Sequence, residues 1–394
     1  MKKFILLGSM LSLFALAALG CSKAQGSENA TKANTVEIVE SEHDRRDVKI
    51  QIAILLDTSS SMQGLIEQAK SRLWNIVNTM TTLKYQGRAP KIEIALYEYG
   101  NDRLSKSSDY IRQILPLTSD LDLLSEKLFS LTTYGGDEYC GAVINKAVKS
   151  LDWGNSTADM KLIYIAGNEP FTQGRTSYKE AIDNALRKGI YVNTIHCGNR
   201  DAAINGMWRD GAIRGEGKFF NIDHNVRVRH IDTPYDDRIS SCNERLNRTY
   251  MGYGTMGTDR IQNQSAQDAN AMKISKSNYA ERAVSKVSAV YDNSSWDVVD
   301  LARKDKNALA EIKQSELPKE LQGKTTEEMN KVIAQKEAER KAIQKEINEL
   351  AQKRQEYIDQ KRKEEGETSG DDLGKAINES VLALAGKKGY TVSK

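Results

Sequence analysis

The sequence predicts an α/β fold in which a mostly parallel β-sheet carries helices on both faces. Within residues 47–232, short runs of β-branched and aliphatic residues alternate with segments whose apolar residues recur at helical spacing. The first run, residues 48–56, is rich in such residues, as is typical of a central strand buried on both faces. Asp57, Ser59 and Ser61 follow it directly, at the strand end where open α/β sheets bind their ligands.

Each further element of this region has its own signal in the sequence. Apolar residues between 65 and 83 recur at helical spacing and cover one face, and residues 92–99 alternate as a strand does. The later elements are, in chain order, a strand at 160–165, a helix at 178–188, a strand at 190–197 and a last strand at 218–222. Strands that alternate with helices in this way favour parallel pairing.

The hexapeptide Asp57-Thr58-Ser59-Ser60-Ser61-Met62 resembles the Asp-x-Ser-x-Ser metal-ion-dependent adhesion site (MIDAS) of von Willebrand factor type A (VWA) domains. The resemblance extends over roughly residues 47–232 and implies the Rossmann-like VWA sheet. It also implies a divalent cation, first of all Mg²⁺, with Mn²⁺ or Ca²⁺ as alternatives, because hard cations take oxygen ligands. The alternative for the motif alone is a capped strand-to-helix turn without a metal.

Two more loops of VWA domains contribute to this site, and the chain departs from the family pattern in both. After Gly135-Gly136 the family usually has a threonine, and here Asp137 stands in its place. The third loop usually reads Thr-Asp-Gly-x-Pro, and here Gly167 stands where the aspartate belongs. The resemblance therefore implies a modified site, with Asp137 compensating for Gly167. Asn168 is a weaker candidate for a metal ligand.

The amino-terminal segment predicts a lipoprotein of the bacterial cell envelope. Residues 1–20 combine a short basic start with an apolar stretch, as secretory signal peptides do. Ala18-Leu19-Gly20-Cys21 resembles a bacterial lipobox, which implies lipidation of Cys21 and a membrane anchor, and Ser22 favours the outer membrane. The alternative is ordinary signal-peptide cleavage near residue 17 or 18. Residues 21–46 are polar and predict a flexible tether.

The carboxyl-terminal part is predicted to be helical. Residues 233–300 are expected to pack on the VWA domain, and residues 301–394 form a charged region with a long helix near 327–362. In one heptad register, charged residues interrupt the two seam positions, which are occupied by Met329, Lys336, Ile343, Leu350, Tyr357 and by Ile333, Arg340, Ile347, Arg354. A coiled-coil dimer, a solvated single helix and a helix folding back on residues 381–384 all stay open.

Several functional classes lack their signals. The sequence has no His-Glu-x-x-His, Gly-x-Ser-x-Gly or Gly-x-x-x-x-Gly-Lys-Ser/Thr motif, so no catalytic residue and no enzyme activity is expected. The net charge of +3, from 57 basic and 54 acidic residues, does not favour nucleic acid as a partner. Besides Cys21, the chain has Cys140, Cys197 and Cys242, which allow one disulfide with a free thiol or three reduced thiols.

Two hypotheses of function follow. In the first, an envelope lipoprotein binds a protein partner, and the resemblance implies that the metal accepts an acidic side chain of that partner. In the second, the metal site is vestigial and the protein is an envelope scaffold that interacts through its helical carboxyl-terminal region. Homo-oligomerisation stays open in both.

Overall fold

The structure is a computed structural model that describes residues 47–305, 307–364 and 372–393, all within one compact unit. The predicted signal peptide, the lipidation site at Cys21 and the tether lie outside the described residues. In the part of the chain that is described, no helix is both long and apolar enough to cross a membrane.

Eight strands are present in the described residues. In chain order they are β1 (Lys49–Asp57), β2 (Leu83–Tyr85), β3 (Lys91–Tyr99), β4 (Ile111–Thr118), β5 (Met160–Gly167), β6 (Ile190–Cys197), β7 (Glu216–Ile222) and β8 (Tyr390–Val392). Six of them form the main sheet in the order β4-β3-β1-β5-β6-β7. All neighbours in it are parallel except β4, which runs antiparallel to β3. The predicted α/β class and the strands β1, β3, β5, β6 and β7 are confirmed.

Twelve α-helices are present in the described residues. They are α1 (Gln63–Thr81), α2 (Leu121–Phe129), α3 (Cys140–Ser150), α4 (Tyr178–Arg187), α5 (Arg200–Asn205), α6 (Trp208–Arg214), α7 (Asp236–Asn247), α8 (Gly257–Ile274), α9 (Lys276–Lys286), α10 (Val298–Lys304), α11 (Thr326–Glu364) and α12 (Leu373–Lys387). Helices α3, α4 and α6 cover one face of the sheet, and α1 and α12 pack on the other. Both faces are therefore buried, which explains the nearly continuous apolar run in β1.

Helix α12 packs on α1 and the main sheet, although it lies within residues 301–394, which the sequence predicts to be a charged helical region. Ile377 and Val381 are buried in the core, where α12 packs on α1 and on β5, β6 and β7. The hydroxyl groups of Ser380 and Tyr164 are 2.6 Å apart, which joins α12 to β5. After α12, β8 pairs antiparallel with β2. The end of the described chain therefore completes the fold that begins at β1.

The long helix α11 packs on α7, α9 and α10 of the same chain. Its buried residues include the apolar heptad positions Ile343, Ile347 and Leu350. Arg340 and Arg354, which the heptad register treats as interruptions, are also buried. Arg340 Nη1 lies 2.7 Å from Asp297 Oδ2, and Arg354 Nε lies 2.8 Å from Asp236 Oδ1. The heptad seam of α11 thus packs within the same chain, and its two arginines form ion pairs with aspartates.

Candidate metal centre

The predicted site residues gather at the carboxyl ends of the central strands. Strand β1 lies between β3 and β5, and the chain leaves it in one direction to β3 and later returns on the other side as β5. Such a reversal of strand order opens a crevice outside the strand ends, and loops from both sides reach into it. The loop after β1, the loop before α3 and the loop after β5 meet there.

Asp57 is the buried acidic residue of this crevice. Its side chain is fully buried, and its Oδ1 accepts a hydrogen bond of 2.7 Å from the backbone N–H of Ser59. Its Oδ2 has no hydrogen-bond partner among the described residues. Burial raises the pKa of Asp57 to about 6, because removal from water penalises the charged form. A buried oxygen without a donor is costly unless a proton or a cation satisfies it.

The two serine hydroxyls of the motif lie side by side. Ser59 Oγ and Ser61 Oγ are 3.1 Å apart, because a short 3₁₀ turn over Ser60–Met62 brings alternate side chains to one side before α1 begins. Asn168 Nδ2, from the loop after β5, donates to Ser61 Oγ at 3.2 Å. Its Oδ1 is buried and has no partner in the part of the chain that is described. Asn168 therefore joins the site, with an acceptor oxygen to spare.

The second carboxylate of the site is Glu138, which the sequence analysis missed. Glu138 is 4% exposed, and burial together with the neighbouring Asp57 carboxylate raises its pKa to about 10. Its neighbour Asp137, which was predicted at the metal, is exposed and accepts a 2.9 Å hydrogen bond from the Tyr139 hydroxyl. The Glu138 N–H donates to Gln173 Oε1 at 2.8 Å, which fixes the backbone in this orientation. The buried acidic position thus falls one residue later than predicted.

The missing aspartate at Gly167 has a steric explanation. A Cβ at this position would lie 2.4 Å from the Tyr99 hydroxyl and 3.1 Å from Asp57 Oδ2. The Tyr99 hydroxyl donates a 3.0 Å hydrogen bond to the backbone oxygen of Ala166 and so fills the space of the usual side chain. An aspartate therefore does not fit here, and the carboxylate of Glu138 enters from the opposite loop.

Two residues that the sequence analysis did not assign to the site hold the third loop in place. His196 Nε2, at the end of β6, donates to the backbone oxygen of Asn168 at 3.1 Å. Trp208 Nε1 donates to the backbone oxygen of Glu169 at 2.8 Å. Both donors are on buried side chains, so the loop that carries Asn168 is anchored from below. The position of His196 at the end of a strand of the parallel sheet was the available sequence signal.

The three cysteines within the described residues are free and buried. Cys140 Sγ lies 3.8 Å from the Tyr99 hydroxyl, beneath the site. Burial raises the pKa of Cys140 and of Cys197 well above the usual value, so both thiols are protonated. The structure thus agrees with three reduced thiols, the second of the two possibilities that the sequence left open.

The family assignment agrees with this geometry. Residues 51–233 match the family model of the von Willebrand factor type A domain. The chain contains a VWA domain. Domains of this family typically mediate protein–protein interactions, are generally not enzymes and commonly bind a divalent cation at the MIDAS. Among curated proteins, none matches the chain.

Several solved structures are similar to this VWA domain. BatB from Bacteroides thetaiotaomicron is 20% identical, over 44% of this chain and 90% of that one, with a TM-score of 0.34. An aerotolerance-related membrane protein from Bacteroides fragilis is 19% identical, over 44% and 92%, with a TM-score of 0.32. Mussel proximal thread matrix protein 1, with a zinc-occupied MIDAS motif, is 13% identical, over 45% and 43%, with a TM-score of 0.34. At these TM-scores the likeness adds nothing to the assignment, which rests on the family model.

The donor set fits a hard cation. Within residues 47–305, 307–364 and 372–393, no three histidine, cysteine, aspartate or glutamate side chains are grouped as a metal site. A MIDAS does not need such a group, because serine hydroxyls supply part of the ligand shell. Here two carboxylates and two hydroxyls converge and the Asn168 amide lies beside Ser61, and carboxylate, hydroxyl and amide oxygens are ligands of the kind that Mg²⁺, Mn²⁺ and Ca²⁺ accept. The residues present therefore fit the cation that the family implies.

Proposed function

We propose that the VWA domain binds a divalent cation, Mg²⁺ before Mn²⁺ or Ca²⁺, through Asp57, Ser59 and Ser61, with Glu138 and Asn168 as further oxygen donors. The observation that carries this proposal is the pair of buried oxygens without a hydrogen-bond donor among the described residues, Asp57 Oδ2 and Asn168 Oδ1. Buried polar atoms are nearly always satisfied in folded proteins, and a bound cation would satisfy both of these oxygens.

The burial gradient across the site supports binding of a protein partner there. Asp57 and Ser59 are buried, whereas Ser61 is exposed and Asn168 is half-buried. A cation held by these residues would be enclosed from below and reachable from solvent on the serine side. When bound, it supplies positive charge at the mouth of the crevice, which suits an acidic side chain of a partner protein. The chain's own residues position that charge and exclude water from beneath it.

We further propose that lipidated Cys21 anchors the protein to a bacterial membrane, and Ser22 favours the outer membrane. Support comes from the basic and apolar residues at 1–20 and from the Gly20-Cys21 pair. Replacing Cys21 with alanine should move the protein from the membrane fraction to the soluble envelope fraction. If the variant still sediments with membranes after a salt wash, the anchor is not at Cys21.

The structure offers less support to the scaffold hypothesis. That hypothesis needs a free interaction surface on the long helix, but the apolar positions of α11 are buried against α7, α9 and α10. The seam that could have paired with a second chain is thus occupied within one chain. We therefore keep the metal-dependent interaction as the proposed function.

The experiment is thermal unfolding of chelator-treated protein with and without each cation. A ligand at about 100 times its dissociation constant stabilises the native state by about 2.7 kcal/mol. Millimolar Mg²⁺, Mn²⁺ or Ca²⁺ should therefore raise the melting temperature, and Asp57→Ala should abolish the rise. Asp137→Asn is the matched control and should keep it. A melting temperature that none of the three cations changes would overturn the proposal.

A further inference from the structure

A second polar cavity lies away from the metal centre, between the start of α2 and the loop that joins α9 to α10. It encloses about 120 Å³. Its wall begins at Thr118, which pairs with Ile94 in the first half of β3, whereas Asp57 pairs with Tyr99 at the end of that strand. The cavity is thus separated from the metal centre along the strands, and the proposed function does not use it.

The feature that points to a ligand is the side chain of Asn293. This residue lines the cavity and is 6% exposed, and its Nδ2 has no hydrogen-bond partner within the described residues. Buried amide donors are nearly always hydrogen-bonded, so this donor is available to an oxygen atom within the cavity. A ligand oxygen in the cavity would satisfy it.

The backbone around Asn293 is held firmly, so this donor is positioned in advance. The Asn293 N–H donates to Asp300 Oδ2 at 3.1 Å, and its carbonyl oxygen accepts from the Trp296 N–H at 2.9 Å. Arg340 Nη1 of α11 in turn lies 2.9 Å from Asp300 Oδ1. The loop is therefore tied to the long helix through a buried ion pair, and a preorganised donor loses little entropy on binding.

The charges around the cavity favour a neutral ligand. Three aspartates line it, and each has a basic partner behind it. Asp120 Oδ2 lies 2.5 Å from Arg260 Nη1, and Asp122 Oδ1 lies 2.9 Å from Arg282 Nη1. Asp292 pairs with Lys304. Because every carboxylate is already compensated, an ammonium group would gain little there, whereas carboxylate oxygens still accept hydrogen bonds from neutral donors.

The size of the cavity and its mostly polar wall restrict the choice of ligand further. Pockets for drug-sized molecules hold about 300–1,000 Å³, so this cavity suits a smaller molecule. Tyr291 and Trp296 also line it, and Ser119 and Ser295 lie at its exposed side. A small molecule with several hydroxyl groups can form hydrogen bonds to the carboxylates and the amide of this wall.

We propose that this cavity binds a small neutral polyhydroxylated molecule, a polyol or one monosaccharide unit. Its hydroxyl groups would donate to the carboxylates of Asp120, Asp122 and Asp292, and one hydroxyl oxygen would accept from Asn293 Nδ2. Each ligand hydroxyl can donate and accept at once, which matches a wall that combines acceptors with a single amide donor.

Ligand-observed saturation-transfer NMR on the full chain tests this, with myo-inositol and D-glucose as neutral polyols and putrescine as a cationic comparison. At least one polyol should bind saturably at millimolar concentration, and putrescine should not compete with it. Asn293→Ala, which keeps the backbone contacts, should weaken binding about three- to tenfold, as loss of one hydrogen bond does. Asn225→Ala, on an exposed loop elsewhere, is the matched control and should bind as the unaltered chain does.

Ser119→Leu gives a second and independent readout, because Ser119 is exposed at the cavity and a larger side chain there should block entry without disturbing the core. Three results would overturn the proposal: no saturable binding of either polyol, displacement of the polyol by putrescine, or polyol binding that neither Asn293→Ala nor Ser119→Leu weakens. None of these results bears on the metal centre, since its cation-dependent stabilisation is measured separately.

Discussion

In two clusters of buried carboxylates in this chain, the pKa of the buried aspartate shifts in opposite directions. At the metal centre, Asp57 is buried beside Glu138, and burial raises the pKa of Asp57 to about 6. Among the helices that follow the VWA domain, Asp268 on α8 is also buried, and burial again acts to raise its pKa. There, however, the charges of Lys286 and Arg282 outweigh burial and hold the pKa of Asp268 well below its usual range.

The two clusters differ in the source of the positive charge that compensates their carboxylates. Arg282 Nε lies 2.6 Å from Asp268 Oδ1, and Lys286 Nζ lies 3.1 Å from Asp268 Oδ2. The same arginine reaches Asp122 and stacks 4.5 Å from the Trp74 ring. The chain therefore neutralises this cluster itself, which makes it part of the core. Asp57 and Glu138 have no ion pair with a basic side chain among the described residues, and such a gap is what a cation from solution can fill.

The largest effect is expected from removing the internal cation of the helical cluster. Arg282→Met should cost about 3–5 kcal/mol in free energy of unfolding, because it leaves the buried Asp122 without its ion-pair partner and Asp268 with Lys286 alone. Urea unfolding measures this loss. Lys276→Met is the control, since its pair with Asp237 is exposed, and its unfolding midpoint should stay unchanged. A loss with Arg282→Met as small as that of the control would contradict the comparison.

A smaller effect is expected from crowding the metal centre. Gly167→Ala places a methyl group against the Tyr99 hydroxyl and should cost about 1–3 kcal/mol, as overpacking does. Tyr99→Phe in the same chain should recover part of the loss, because it removes the contacted oxygen. Gly386→Ala, on α12 with open space around it, is the control and should be neutral or stabilising by up to about 1 kcal/mol. Equal losses with and without the Tyr99 hydroxyl would refute this steric account.

The next prediction separates two adjacent carboxylates. Glu138→Gln should weaken Mg²⁺ binding about 10–100-fold, or about 1.4–2.7 kcal/mol, since it removes one of the two buried acidic groups. Asp137→Asn removes an exposed group that bonds to Tyr139 and should leave the affinity unchanged. Calorimetric titration of both variants measures the difference. The reverse order of effects would restore Asp137 as the ligand.

Much of the fold could be predicted because its strands are buried on both faces. Strands β1, β3, β5 and β6 carry long apolar or alternating runs. Strand β4 (Ile111–Thr118) was missed, since it is an edge strand with a proline at 116, bulged pairing and only partial burial. The sequence did not predict where helix α12 packs, because an amphipathic pattern indicates the buried face of a helix but not the surface that this face contacts.

The site could be predicted where its residues are contiguous. Asp57, Ser59 and Ser61 follow one strand, so their convergence follows from local geometry. The choice between Asp137 and Glu138 depends on distant packing: Gly136 lies against the backbone of Gly100 and Asp102, at distances where a Cβ would clash. Such contacts leave no pattern in a single sequence.

The most direct test of the central comparison is the free energy of unfolding of Asp57→Asn and Asp268→Asn in the presence of a chelator. Asp57→Asn keeps the acceptor for the Ser59 N–H, removes an uncompensated charge and adds a donor toward Glu138. It should leave the metal-free protein as stable as before, or more stable. Asp268→Asn leaves the buried Lys286 without its ion-pair partner and leaves Arg282 with Asp122 alone, and it should cost about 3–5 kcal/mol. A loss of that size from Asp57→Asn would show that its carboxylate is already compensated within the chain, which would contradict the account.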